Sequence, residues 1–256
     1  MLLPSIAELL ARVARHPAVE HTLDALRRGA GETRLAGLTD PAKAMVVAHL
    51  AAELRRPVLL LVESNQRGEL LAEPLRFFYR ALSGKAASQV ALLPALDTLP
   101  WQNLSPHPEI LETRAVTLWR FATGQAQLVV APVAAAQMRL REAEFYRGLA
   151  RSVARDEDVS LDDLVAHLAS VGYERQETVE MPGQFAVRGG ILDVFSPESP
   201  RPVRLELLGD TAESLREFDP GTQRSVGPLE RVTLPPLTEF PRESELVERV
   251  YARAAG

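Results

Sequence analysis

Hydrophobic and polar positions follow two different rhythms along this chain, and the change of rhythm divides it. Between Leu35 and about Met138, the short apolar runs "RLAGL", "PVLLLVES", "SQVALLPAL" and "AQLVVAPVAA" are flanked by Pro, Gly or Ser. Continuous runs of this kind predict strands buried on both faces. Pro41 to Leu54, Gln66 to Leu82 and Pro108 to Phe121 carry helical periodicity between them, and strand alternating with helix predicts a parallel sheet covered on both sides. Ahead of this region "MLLPSIAELLARVARHP" predicts an amphipathic helix.

Past Met138 the spacing shortens. "RLREAEFYRGLARSVAR" is arginine-rich, and Ser160 with Asp163 forms a capping box ahead of Leu161, Leu164, Val165 and Leu168, which share one helix face. Strand-like pieces follow: "YERQETVEM", "QFAVR", "GILDVF", "VRLELL", "ESLREF" and "ERVTL". They are punctuated by Pro182-Gly183, Ser196-Pro197, Gly209-Asp210 and Pro220-Gly221. Gly209-Asp210 suits the two central positions of a type II′ hairpin. This half predicts an antiparallel α+β domain. The tail "ESELVERVYARAAG" begins a helix without closing it, so a fragment of a longer chain is expected.

Composition narrows the function classes. With 256 residues and 46% apolar content the chain can bury a sizeable core. A net charge of −5 gives no global attraction for nucleic acid or an acidic membrane surface. Cysteine is absent, which excludes disulfides, thiolate zinc sites and a cysteine nucleophile, and fits a reducing compartment. Pro4, Glu8, Arg12 and Arg15 interrupt the N-terminal apolar residues, so no signal peptide or membrane span is expected, and a cytoplasmic location is. The five histidines lack metal-ligand spacing, and His107-Pro108-Glu109 suits a helix start. No metal, cofactor or catalytic constellation is expected.

One stretch nearly spells a phosphate loop. In the frame G-x-x-x-x-G-K-[ST], this chain has Gly37, Ala42, Lys43 and Ala44. The second glycine, which lets backbone N–H groups wrap phosphates, and the hydroxyl that holds Mg²⁺ are both replaced. Pro41 has no N–H to donate, and Asp40 puts a carboxylate where phosphate would lie. The segment makes better sense as an ordinary helix start, with Thr39 or Asp40 as N-cap and Pro41 at the first helical position.

Three stretches together carry a family resemblance. "LPALDTLPWQNLSPHPEILETRAVTLWRF" resembles a segment of bacterial transcription-repair coupling factors. "GYERQETVEMPGQFAVRGGILDVFSP", followed by "RLELLGDTAESLREFDPGTQRS", resembles the inserted domain that this family shares with the excision-repair protein UvrB. "LPPLTEFP" is similar to the segment by which that insert returns to the main domain. The resemblance implies an α/β fold: a degenerate RecA/helicase-like parallel sheet domain of the UvrB domain 1 type over 1–138, an inserted antiparallel α+β domain of the UvrB domain 2 type over 139–234, and a return segment over 235–256. It also implies a module without ATPase activity that recruits the damage sensor UvrA to lesions where RNA polymerase has stalled. The full-length family member is an ATP-dependent DNA translocase that meets RNA polymerase and DNA through other regions. UvrB keeps an intact phosphate loop, so Ala42 and Ala44 favour the coupling factor; the alternative is a fragment of a UvrB-like ATP-binding repair helicase. "LPWQNLSPHPEI" is too short for the tyrosine-rich hairpin with which UvrB clamps DNA, and has no tyrosine.

Carried over motif by motif, the resemblance places UvrA-binding positions at Arg175 in "GYER" and Arg188 in "FAVRGG", with Phe185 beside them; where UvrB often has another arginine this chain has Ala186. Guanidinium forks and an aromatic anchor are common in interface hot spots. Each residue also has a plainer reading. Arg175 suits a solvated strand charge paired with Glu174 or Glu177, and Phe185 suits a core residue. Gly189 and Gly190 suit a bulge or turn. Arg147, Arg151 and Arg155 fall four apart, as on one helix face beside Arg139 and Arg141, but Glu142, Glu144 and the run at 156–158 offset their charge, which predicts a solvated face. Trp101 and Trp119 are expected to fill core or seams.

Overall fold

In the structure, a computed structural model that describes residues 4–29, 31–102 and 104–242, three of the four expected apolar runs form strands. Helices α1 (Pro4–Ala14), α2 (Pro17–Arg27) and α3 (Asp40–Leu54) precede β1 (Val58–Val62). Then come α4 (Asn65–Ser83), β2 (Val90–Leu92), α5 (Pro108–Ala122), β3 (Leu128–Pro132) and the single turn α6 (Val133–Ala136). The strands pair in the order β1-β3-β2, all parallel, with Leu60 opposite Val130 and Val90 opposite Leu128. The period of two puts Val62, Leu128, Val130 and Val90 on one face. There they join Ala44, Ala48 and Ala51 of α3 and Leu71, Leu75 and Tyr79 of α4 in one buried cluster. Small residues along α3 let that helix lie close against its neighbours. Ser64 caps α4, its hydroxyl accepting from the Arg67 N–H at 3.2 Å.

The run "RLAGL" forms no strand. Residues 34–38 have no ladder partner among the described residues, and Gly37 takes φ +76°, a left-handed conformation that ends an extended run.

The remaining elements are α7 (Ala143–Gly148), β4 (Arg151–Ala154), α8 (Leu161–Ser170), β5 (Glu174–Arg175), β6 (Gln184–Arg188), β7 (Ile191–Val194), β8 (Val203–Leu208), β9 (Thr211–Phe218), β10 (Ser225–Pro228) and β11 (Arg231–Leu234). Six strands pair in the order β10-β9-β8-β7-β6-β5, and β4 pairs with β11. One pair departs from the antiparallel expectation: β5 runs parallel to β6, because the chain crosses through residues 176–183 instead of turning back. "YERQETVEM" supplies only the two residues of β5, and β10 is an addition that its Gly and Pro concealed. The Ser160 hydroxyl caps α8 by accepting from the Asp163 N–H at 3.3 Å, and Leu164 and Leu168 are buried. Gly209 has φ +63° between the paired Leu208 and Thr211, while Asp210 is not left-handed, which matches the II′ turn. Gly190 lies where a Cβ would meet the Leu207 carbonyl oxygen at 2.7 Å, so the β6–β7 turn needs glycine for close approach of backbone.

The contacts divide the chain into two units, Met1–Ile110 with Arg120–Leu140 and Leu111–Trp119 with Arg141–Gly256. Arg114 explains why the middle of α5 belongs to the second: its guanidinium is fully buried and hydrogen-bonded to the buried carboxylate of Glu239. Residues 235–242 are fastened there too. Leu237 N–H donates to the Val171 carbonyl at 2.9 Å, and the Tyr173 hydroxyl donates to Pro235 O at 3.0 Å. The tail from 243 onward, with its expected helix, lies outside the described residues. No described helix is long and apolar enough to cross a membrane.

Candidate partner-docking site

The six-stranded sheet of the second unit has an apolar face and a polar one. Val187, Leu192 and Leu205 lie in register across β6, β7 and β8 and are part of the apolar face. The polar face carries Asp193, Arg204, Glu206, Ser214 and Arg216, and its charges answer one another. Arg204 makes a two-pronged bond to the buried carboxylate of Asp193, 2.7 Å on each arm, with its guanidinium 4.8 Å over the Phe218 ring. Those bonds hold Arg204 more firmly protonated than usual. Glu206 accepts from Ser214 at 2.6 Å and lies 3.6 Å from Arg216.

At the β5 end of this sheet the loop 176–180 folds over the polar face. Val179 packs into a buried cluster with Ala186, Phe195 and Phe218, which gives Ala186 a packing role where an arginine would not fit. Arg188 fastens the loop: its Nη2 donates to the Glu177 carbonyl at 2.6 Å and to the Thr178 hydroxyl at 3.0 Å. Arg188 is exposed, and among the described residues only its Nη2 is engaged. Arg175, on the outermost strand beside Phe185, is also exposed. No described residue pairs with its guanidinium, neither Glu174 nor Glu177.

Phe185 does not join this surface. It is 1% exposed, so it reaches no partner while β6 keeps its place. Its side chain is core material that fixes the strand between Arg175 and Arg188. Alternation along β6 gives the reason, since Phe185 and Val187 face the apolar side and Ala186 and Arg188 the other.

The near-miss phosphate loop has a different surrounding from the one its pattern suggests. Thr39 is the N-cap, without a side-chain bond, Asp40 is the first helical residue and Pro41 therefore the second. The Asp40 carboxylate turns sideways to Arg67 of α4, which grips both oxygens: Nη1 lies 2.7 Å from Oδ2, and Nη2 binds Oδ1. Lys43 Nζ lies 3.5 Å from the same Oδ1. The Arg67 hydrogen bonds hold the Asp40 carboxyl below the usual carboxylate range. Ala44 is buried in the core cluster, and Gly37 sits in an exposed loop. Nothing in the sequence spacing points to Arg67, whose partner is 27 residues away.

Two other expectations change. The arginines 147, 151 and 155 share no helix face: Arg147 ends α7 beside Glu144, Arg151 opens β4, and Arg155 follows it, 3.2 Å from Glu230. Backbone pairing with β11 draws that stretch out as a strand. Trp119 is buried, but Trp101 is 74% exposed, on a short turn that packs its ring against no core. His107 does start α5, its Nδ1 accepting from Glu109 N–H at 3.4 Å. Among the described residues no group of His, Asp or Glu is arranged to hold a metal.

Residues 152–240 match the UvrB interaction domain family. The chain is 37% identical over 233 residues to the transcription-repair-coupling factor of Myxococcus xanthus, covering 91% of this chain and 19% of that protein. The corresponding figures are 33% over 220 residues for Escherichia coli strain K12, with 86% and 19% covered. For Bacillus subtilis strain 168 they are 30% over 218 residues, with 85% and 18% covered. The chain thus spans about a fifth of the length of these relatives.

Proposed function

Because the chain belongs with transcription-repair coupling factors, as an N-terminal region that carries a UvrB interaction domain, we propose that its second unit is a docking module for UvrA. Through it, excision repair is brought to lesions at which RNA polymerase has stalled. Arg175 carries the reading. An exposed guanidinium without a partner among the described residues, on the last strand of a sheet whose other face pairs Arg204 with Asp193 and Arg216 with Glu206, is free to make a two-pronged bond to a carboxylate on another protein. Arg188 serves twice, holding the loop 176–180 with one nitrogen and offering the others outward. Phe185, buried between them in the fold, fixes β6 beside Arg175 and below Arg188. RNA polymerase and DNA are engaged by other regions of the longer protein.

In this reading the first unit is a degenerate RecA-like scaffold of the UvrB domain 1 type, and the segment performs no chemistry of its own. The Asp40–Arg67 pair supports that view, since it sets a carboxylate beside Lys43 where a nucleotide would need an uncompensated cation. Two experiments test the proposal. UvrA is captured by the immobilised chain and lost on Arg175→Glu; equal capture by both would remove Arg175 from the site. A fluorescent ATP analogue with Mg²⁺ shows no saturable binding at micromolar concentration, and saturation there would revive the ATP-binding alternative.

A further inference from the structure

Asp40, Lys43, Glu63 and Arg67 form one charged group on α3, α4 and the turn between β1 and α4. Arg67 holds Asp40 with both terminal nitrogens, and its Nε lies 3.4 Å from Glu63 Oε1. Lys43 adds its ammonium at 3.5 Å from Asp40. Lys43, Glu63 and Arg67, with Val47, Leu60 and Leu71, line a cavity of about 190 Å³, room for a phosphate group. Two cations and two carboxylates sum to zero. We infer that this is a self-neutralised anion site, in which Asp40 and Glu63 stand as internal counter-ions to Lys43 and Arg67 and exclude an outside phosphate.

The charges make the claim quantitative. Replacing Asp40 leaves one cation uncompensated, and replacing Glu63 as well leaves two. An oxyanion then meets a forked guanidinium and an ammonium beside the same cavity, the pairing that phosphate recognition uses. Each carboxylate removed is expected to raise the affinity for a small polyanion by about tenfold at low ionic strength, with the gain fading as salt screens it. The inference rests on the reading of the first unit as a scaffold without a nucleotide site and is independent of the docking reading, which concerns the other unit.

Inorganic pyrophosphate is the probe, titrated calorimetrically and by thermal shift into the whole chain, into Asp40→Asn and into Asp40→Asn/Glu63→Gln. The unaltered chain takes up none at millimolar concentration. The single variant binds weakly, the double variant binds about tenfold more tightly, and Arg67→Met added to the double variant abolishes the binding. Circular dichroism reports folding; if the double variant melts, Asp40→Ser, which keeps a helix-starting hydroxyl, is read in its place. Absence of pyrophosphate binding in a folded variant overturns the inference, as does binding that survives Arg67→Met or equal binding by the unaltered chain.

Discussion

Arg188 Nη2 lies 2.6 Å from the carbonyl oxygen of Glu177, a charge-assisted bond that ties the outer loop of the sheet to the strand beneath it. The loop is also held by Val179 among Ala186, Phe195 and Phe218, by the Gln176 N–H, which donates to the Phe185 carbonyl at 2.8 Å, and by the Glu180 N–H, which donates to Gln184 Oε1 at 2.9 Å. Arg188→Ala removes the first anchor and keeps the others. Amide exchange at Glu177 and Thr178 is expected to accelerate, while stability of the unit falls by only about 1 kcal/mol, since the bond is exposed to water. Exchange rates unchanged in this loop would show that the guanidinium does not hold it.

Phe185 separates support from contact. Its side chain is buried beside Val194 and Val203 in the register of β6, β7 and β8. Phe185→Ala is expected to destabilise the second unit by about 3 to 5 kcal/mol. Phe185→Leu, closer in volume, costs less and leaves partner binding intact once the protein is folded. A Phe185→Leu variant with a native urea midpoint and lost UvrA binding would return this residue to the interface.

His167 makes stability depend on pH. It is half-buried on α8, its Nε2 is 3.1 Å from the Leu149 carbonyl, and burial, followed by the nearby Arg151 charge, holds its pKa below the ordinary 6.5. A depressed histidine favours the neutral ring in the folded state. Its contribution is therefore complete above pH 6.5 and is lost as pH falls through that value towards the lower folded one. The urea midpoint of the second unit is expected to drop between pH 7.5 and 5.5, and to drop less in His167→Gln. Equal slopes would assign the dependence elsewhere. His49, shifted downward mainly by burial, gives the first unit a slope of the same sign.

Much of this architecture was legible along the chain because its signals are local. Apolar runs bounded by Pro and Gly marked β1, β2 and β3, and the Ser160 cap and the Gly209 turn were read from neighbouring residues. What escaped depends on residues distant in sequence. "RLAGL" has strand composition but no ladder partner among the described residues, and the short β5 runs parallel to β6 through a crossover that composition does not encode. Arg67 with Asp40 and Arg114 with Glu239 join residues 27 and 125 positions apart. Near the β5 edge of the sheet the family motif named Arg175, Phe185 and Arg188 as candidates. Alternation along β6 turns Phe185 away from Arg188, and burial sets it apart from Arg175, its exposed register partner on β5.

The docking claim is tested most directly by calorimetric titration of UvrA into the chain, compared with its Arg175→Ala and Arg188→Ala variants under identical salt. The account predicts saturable binding by the unaltered chain and a loss of at least about 1.4 kcal/mol, a tenfold weakening, on Arg175→Ala, with the melting temperature unchanged. An affinity for UvrA equal in all three proteins would contradict it.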